Sequence, residues 1–133
     1  MPRVADRKLQ ILQQLAQMLE DPNCKKITTA LLASRLEVSE AALYRHFASK
    51  AQMYEGLIDF IEQTVFGLIN KISESELSGL AQVSSTINVL LNFSKKNPGM
   101  TRVLIGDALV YENDRLQVRI NRLHDRLESS MKQ

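Results

Sequence analysis

Ile27 to Lys50 reads ITTALLASRLEVSEAALYRHFASK, two short helical patterns separated by the three residues Glu37-Val38-Ser39. Thr28 is expected to cap the first helix, because its side-chain oxygen can accept a backbone N–H of the opening turn. Ser39 is expected to cap the second helix in the same way. The stretch therefore predicts a tight helical hairpin.

The second helix of this hairpin combines a small apolar face with a polar outer face. Leu43 and Phe47 are four residues apart and share one side of the helix. Glu40, Tyr44 and Arg45 fall on other sides. A short helix of this kind is what a helix-turn-helix protein presents to the major groove of DNA. The spacing alone fits a helical hairpin in any all-α protein equally well.

The composition favours an all-helical chain. At 133 residues it has room for one domain, or for a small domain joined to part of a second. Only 5 glycines and 3 prolines interrupt it. No apolar run approaches the ~18 residues that a membrane span needs. The single cysteine, Cys24, cannot form an internal disulfide, which fits a cytoplasmic location.

Positive charge is concentrated in the N-terminal part of the chain. Residues 1–50 hold eight Lys and Arg against five Asp and Glu, whereas the remainder holds nine against ten. A phosphate-binding surface requires such an excess, although this one is modest. No glycine-rich phosphate loop, paired cysteines or acid/base pair stands out. The sequence therefore predicts neither an enzyme nor a cofactor or metal site.

Apolar periodicity predicts further helices on both sides of the hairpin. The first is an amphipathic helix from Val4 to Glu20. Ser49 is expected to cap a long helix from about Lys50 to Ser73, which is apolar on more than one face and should therefore be central. Residues 73–78 are the expected linker to the next helix.

The C-terminal part is expected to contain a helix from Leu80 to Lys96, a short apolar segment and a last helix. The apolar side of the first of these comprises Leu80, Val83, Ile87, Leu90 and Leu91, and Val89 and Phe93 form a second apolar pair. Pro98 is well placed to start the short segment, Met100 to Val110. Asn113 or Asp114 should cap the last helix, whose core seam is expected at Leu116, Ile120, Leu123 and Leu127.

Arginines repeat along the last helix, one position before each seam residue. They are Arg115, Arg119, Arg122 and Arg126. We interpret this stripe as a solvated face, with contact to DNA backbone or to an acidic partner as the alternative. No stop signal follows before Gln133, so we expect the fold to continue beyond that residue.

The hairpin resembles the DNA-binding motif of TetR-type regulators. The matching residues are Thr28-Thr29, Leu32-Ala33, Val38-Ser39, Leu43-Tyr44, His46-Phe47 and Ser49-Lys50. The resemblance implies an all-α, TetR-like fold with a helix-turn-helix DNA-binding domain at 1–49 and a helical dimerisation and partner domain at 50–133. Family proteins bind palindromic DNA as dimers. Glu37 replaces the usual turn glycine, and a positive φ there would cost roughly a kcal/mol; Ala48 replaces a common proline.

Later segments resemble a narrower group within that family, the nucleoid occlusion factors. These segments include KNPGMTRVLIGDAL and ENDRLQVRINRLHDRLE. Such factors bind chromosomal palindromes and, when DNA-bound, antagonise polymerisation of the tubulin-like division protein FtsZ. The resemblance therefore implies double-stranded DNA and the FtsZ C-terminal tail as partners, and a cytoplasmic, nucleoid-associated homodimer.

The resemblance and the hairpin geometry together assign two sets of DNA-binding residues. Thr28, Thr29, Tyr44, His46 and Lys50 are expected to hold phosphates and set the register. Ser39, Glu40, Ala41, Ala42 and Arg45 lie on or near the groove-facing helix. Alanine can meet thymine methyls there, and arginine can pair with guanine.

The resemblance also places the FtsZ tail in a groove between the fourth and fifth helices. The corresponding positions are Phe60, Val89, Asn92, Lys96 and Asn97. Val89 and Asn92 stand where the family has leucine and glycine, and Leu68 stands where an arginine is expected. The groove is therefore less positive here. Plain core packing is the alternative role for Phe60 and Val89.

Two other functions remain open at the level of the sequence. A small-molecule-responsive TetR-type repressor would need a ligand cavity in the second domain, where the dense Leu, Ile and Val content argues against a polar ligand. A helical interaction module that never touches DNA would show a flat salt response. DNA binding instead weakens with salt, by a log–log slope of about −0.9 per phosphate neutralised.

Overall fold

The computed structural model describes residues 4–24, 26–75, 78–109, 112 and 114–132, and all regular structure within these ranges is helical. The helices are α1 (Val4–Glu20), α2 (Thr29–Arg35), α3 (Glu40–His46), α4 (Lys50–Ser73), α5 (Gly79–Lys96), α6 (Pro98–Leu104) and α7 (Asp114–Lys132). A 3₁₀ turn, Asp107–Leu109, lies between α6 and α7. The predicted all-α fold and the predicted bounds of α1 and α4 are confirmed.

Side-chain caps determine where four of the helices begin. Thr28, Ser39, Ser49 and Ser78 each accept the backbone N–H of the residue three positions later. The first three of these caps are the predicted ones. α6 begins at Pro98, where the missing N–H would have no helical partner anyway. Asn113, Val110 and residues 76 and 77 of the expected linker lie outside the described residues.

α4 is the central helix of the fold, as predicted. It packs against α1, α5, α6 and α7. Its buried residues cover more than one face: Met53, Tyr54, Leu57, Ile58, Ile61, Val65, Phe66 and Ile69. Leu68, also on α4, is 41% exposed. Because α4 begins directly after the hairpin, it connects the hairpin rigidly to the helices that follow.

One apolar core runs from α1 to α7. Ile11 and Leu15 of α1 belong to it, and so do Leu116, Ile120 and Leu123 of α7. The predicted core seam of the last helix is therefore confirmed for these three residues, and Leu127 packs at its edge. Since the cluster continues across residue 49, the expected division into 1–49 and 50–133 stays a prediction.

α5 turns to the core the side of Phe93, from the second predicted apolar pair, and not the main predicted apolar side. Leu80, Ile87 and Leu91 are 84%, 42% and 62% exposed, and the buried residues are Thr86 and Phe93. The predicted apolar side is therefore wrong for three of its five residues. Helical periodicity locates an apolar stripe, but the packing against α4 and α6 decides which side is covered.

Candidate nucleic-acid interface

The turn between α2 and α3 reverses the chain over three residues. Glu37 has φ 57°, which confirms the predicted left-handed conformation at the position where glycine is usual. The Val38 N–H donates to the Ala33 carbonyl at 3.0 Å, and the Leu36 N–H donates to the Leu32 carbonyl at 3.1 Å. These bonds close the C-terminus of α2 and fix the direction in which α3 leaves.

α3 lies with its apolar side toward the core and its polar side outward. Leu43 is 1% exposed and Phe47 is 8% exposed, so both belong to the core beneath the helix. Tyr44 is 44% exposed, and Glu40 and Arg45 are exposed as well. The predicted outward orientation is therefore confirmed. The roles of these side chains at DNA remain predictions.

Three of the predicted DNA-binding side chains are in mutual contact. Thr29, the first residue of α2, donates its hydroxyl hydrogen to Glu40 Oε2 at 3.2 Å. The same Thr29 oxygen lies 3.2 Å from the hydroxyl of Tyr44. These contacts join the N-terminal ends of α2 and α3 through polar groups at the outer surface.

The remaining members of the predicted set lie around this contact. Ala41 and Ser39 are exposed, whereas Ala42 and His46 are half-buried. The hydroxyl oxygens of Thr28 and Ser39 accept the N–H groups of Leu31 and Ala42, so they cap α2 and α3 and each keep one hydrogen to donate.

Lys50 is engaged within the chain. Its Nζ lies 2.7 Å from Glu112 Oε1, and both side chains are largely buried. Glu112 also contacts Tyr54, whose phenol pKa is raised above its usual value by burial and, secondarily, by that carboxylate. The predicted phosphate contact of Lys50 therefore competes with an internal carboxylate that the sequence did not identify.

The arginine stripe of α7 is largely paired with α4. Arg115 Nε lies 2.7 Å from Glu55 Oε1, and Arg119 bonds Asp59 and lies 3.6 Å from Glu62. Burial alone would lower the pKa of Arg119, but the hydrogen bond to Asp59 raises it overall.

Arg126 stacks over the Phe66 ring, with its guanidinium carbon 3.9 Å from the ring centre. Arg115, Arg119 and Arg126 therefore contact α4, and the interpretation as a solvated face still holds for Arg115, Arg122 and Arg126, which are exposed. The acids lie on α4, about 60 residues away in sequence, so spacing within α7 could not reveal them.

A cavity of about 170 Å³ lies between α1 and α3. Its floor includes the core residues Ile11 and Leu43, and its basic lining residues are Arg7, Arg45 and His46. Sequence reasoning did not connect Arg7 with the interface, because only the packing of α1 under α3 brings it there. The cavity places a third basic side chain beside two predicted DNA-binding residues.

The predicted partner-binding residues lie on two helices that pack against each other, α4 and α5. Phe60 and Val89 are half-buried, and Asn92 and Lys96 are exposed. The Asn97 side-chain amide donates to the Phe93 carbonyl at 3.1 Å, so it is held at the end of α5. Two apolar members of the predicted set are thus partly covered, and two polar members are exposed.

The described part of the chain contains neither a candidate membrane span nor a candidate metal site. None of its helices combines the length and apolar composition that crossing a bilayer requires. No three His, Cys, Asp or Glu residues within the described ranges come together as metal ligands.

Two family models match the chain. Residues 11–57 match bacterial regulatory proteins of the tetR family, and residues 78–133 match a tetracyclin repressor-like C-terminal domain of SlmA-like type. The first match covers α2, α3 and the turn between them. Both families are regulatory proteins, which confirms that the chain is not an enzyme.

Several relatives are similar over nearly the whole chain. The nucleoid occlusion factor SlmA of Alteromonas mediterranea is 54% identical over 100% of this chain and 69% of its own length. The proteins of the same name from Marinomonas sp. and Aliivibrio fischeri are 52% and 50% identical, over 96% and 99% of this chain and 65% and 68% of their own lengths. The chain thus spans about two thirds of these relatives, and it belongs to the SlmA family of nucleoid occlusion factors within the TetR family.

Proposed function

We propose that this chain is a sequence-specific DNA-binding nucleoid occlusion factor of the cytoplasm. It binds chromosomal palindromes as a homodimer and, when bound, inhibits assembly of the FtsZ ring over the nucleoid. The observation that carries the proposal is the outward polar face of α3 above buried Leu43 and Phe47. Its relatives' name, nucleoid occlusion factor, supports the biological role.

At DNA, the hairpin divides its contacts between backbone and bases. Thr28, Thr29, Tyr44, His46 and Lys50 bind phosphates, which fixes the register but carries no sequence information. Glu40, Ala41, Ala42 and Arg45, with the cap Ser39, present the groove-facing side of α3. Arg45 can pair with guanine, and the alanines can contact thymine methyl groups.

A palindrome fits a dimer because each half-site receives the same helix from one protomer. Two copies of α3 should then lie about 34–36 Å apart, one turn of the duplex. The excess of basic residues in 1–50 supports binding to the phosphate backbone.

The FtsZ tail is proposed to bind between α4 and α5, at Phe60, Val89, Asn92, Lys96 and Asn97. Lys95 and Lys96 form a basic last turn of α5, which suits an acidic tail. The half-buried apolar side chains would contact the apolar residues of that tail. Because α4 carries both Lys50 and Phe60, DNA and the tail would contact the same helix.

The test combines purified protein, a palindromic duplex and FtsZ, and follows FtsZ polymers by light scattering. We expect polymer formation to fall only when protein and duplex are both present. A parallel DNA titration at several salt concentrations should give a log–log slope of about −0.9 per phosphate contact. Unchanged scattering would reject the inhibitor function, and a flat salt response would reject DNA binding.

A further inference from the structure

Three side chains on the outer face of the hairpin form a continuous chain of hydrogen bonds. Thr29 Oγ1 lies 3.2 Å from Glu40 Oε2 and 3.2 Å from the Tyr44 hydroxyl. Glu40 and Tyr44 are one turn apart on α3, whereas Thr29 opens α2. The chain of bonds therefore crosses the surface that we propose to face DNA.

The number of available hydrogens fixes the direction of these bonds. The Glu40 carboxylate only accepts, so the Thr29 hydroxyl donates its single hydrogen to it. Thr29 must then accept from Tyr44, which uses the single hydroxyl hydrogen of Tyr44. In the free protein both hydroxyl hydrogens are therefore engaged: Tyr44 donates to Thr29, and Thr29 donates to the Glu40 carboxylate.

DNA phosphates compete for the same hydrogens. A phosphodiester oxygen only accepts, so it can bind the hydroxyls of Thr29 and Tyr44 only by displacing their present acceptors. A duplex that takes both hydrogens leaves the Glu40 carboxylate without its donor, next to a polyanion. Glu40 is exposed in the free protein, but a bound duplex also covers it, and an ionised acceptor that is buried without a partner is costly, so Glu40 then needs another donor.

The major groove offers such a donor at some base pairs and not at others. The exocyclic amine of cytosine donates there, and carboxylates accept from it. Glu40 is the first residue of α3, and the N-terminal residues of a recognition helix are those that contact base edges. A DNA site with cytosine opposite Glu40 gives the carboxylate a hydrogen-bond donor, and a site with another base there does not.

We propose that Glu40 is a specificity-determining residue that exchanges the Thr29 hydroxyl for a cytosine amine when the cognate duplex binds. Glu40 discriminates mainly by weakening binding to non-cognate DNA sites, because their major groove leaves its charge unpaired. The inference rests on the proposed DNA-binding function and adds to it the residue and the base that carry part of the sequence choice.

The experiment compares Glu40→Gln with Glu37→Gln on two duplexes of equal length. One duplex is a palindrome selected with the wild-type protein from a random pool, and the other is a shuffled version of it. Glu37 is exposed in the same hairpin, so its substitution removes the same charge without touching Thr29 or Tyr44. Binding is followed by fluorescence anisotropy.

We expect Glu40→Gln to bind the shuffled duplex about tenfold more tightly, since a neutral amide tolerates a groove without an amine. Its affinity for the palindrome should change less than about threefold. Glu37→Gln should shift both affinities by one common factor, because only long-range charge changes. Replacing the cytosine that Glu40 contacts in the half-site should weaken binding of the wild-type protein and leave binding of Glu40→Gln unaffected.

Equal changes on the two duplexes for both variants would overturn the role of Glu40 while leaving DNA binding intact. Failure of the wild-type protein to select any duplex would instead reject the proposed function, and this inference with it. Circular dichroism melting curves of both variants establish that they fold, so that a loss of binding is not mistaken for a loss of structure.

Discussion

Glycine at position 99, which has no side chain, allows α6 to cross α1 at very short range. A Cβ atom on Gly99 would lie 2.1 Å from the backbone oxygen of Ala16, which cannot move aside without distorting α1. Close by, Arg102 Nη1 donates to the Leu19 carbonyl at 2.8 Å and joins the same two helices. The close contact between α1 and α6 therefore requires glycine at position 99.

Replacing Gly99 with alanine should destabilise the fold by about 3 kcal/mol, because the methyl group forces the two backbones apart. Gly67→Ala is the matched control: the same methyl group meets nothing within 4 Å on the outer side of α4. The control should stabilise α4 by about 0.5–1 kcal/mol, since alanine is the better helix former. Urea unfolding of both variants measures the difference, and equal midpoints would refute the close-contact argument.

At the scale of the helices, local chemistry predicted where a helix begins better than it predicted which side of the helix is buried. Thr28, Ser39 and Ser49 were readable as caps because a cap needs only its own turn. The left-handed residue at Glu37 was expected from the family resemblance, because Glu37 stands where the turn glycine is usual. The exposed side of α5 was not predictable, because neighbours distant in sequence decide which apolar residues are covered.

The same limit applies to the candidate site. The outward face of α3 followed from the spacing of Leu43 and Phe47, which is a property of one helix. The ion pair between Lys50 and Glu112 did not follow, because 62 residues separate the two side chains in the sequence. Groups that meet only through the tertiary fold were therefore the ones missed.

The contact between α4 and α7 supplies a test of the arginine stripe. Arg119→Gln should destabilise the fold by about 1 kcal/mol, because it removes the half-buried cation that pairs with Asp59 and Glu62. Arg122→Gln should change stability by less than about 0.5 kcal/mol, since Arg122 is exposed and forms no ion pair within the described ranges. Thermal unfolding at low and high salt measures both, and a larger loss for Arg122→Gln would contradict the pairing argument.

The α4–α5 pair carries the proposed site for the FtsZ tail. Reversing the charge at Lys96 should weaken tail binding about tenfold or more, because an attraction becomes a repulsion at the basic end of α5. Lys71→Glu makes the same change in the last turn of α4, near the connection to α5, and should leave binding close to wild type. A pull-down with an immobilised tail peptide compares the variants, and wild-type retention by Lys96→Glu would remove the groove from the proposal.

At the scale of the whole molecule, the Lys50 pair joins the proposed DNA surface to the helices that follow it. Glu112 lies between the 3₁₀ turn and α7, and it contacts both Lys50 and Tyr54 of α4. A phosphate that binds Lys50 must compete with this carboxylate. DNA binding should therefore weaken the packing of the segment before α7, and that packing should weaken DNA binding by the same coupling free energy.

Glu112→Gln should consequently move stability and DNA affinity in opposite directions. The fold should lose about 1 kcal/mol, because a largely buried ion pair is broken, while Lys50 becomes free and duplex affinity rises about three- to fivefold. Asp114→Asn removes an equal charge two residues away and should raise the affinity by less than about twofold. Denaturant unfolding and anisotropy titration on the same samples test the linkage, because a variant that loses stability without gaining affinity would show that Lys50 does not contact phosphate.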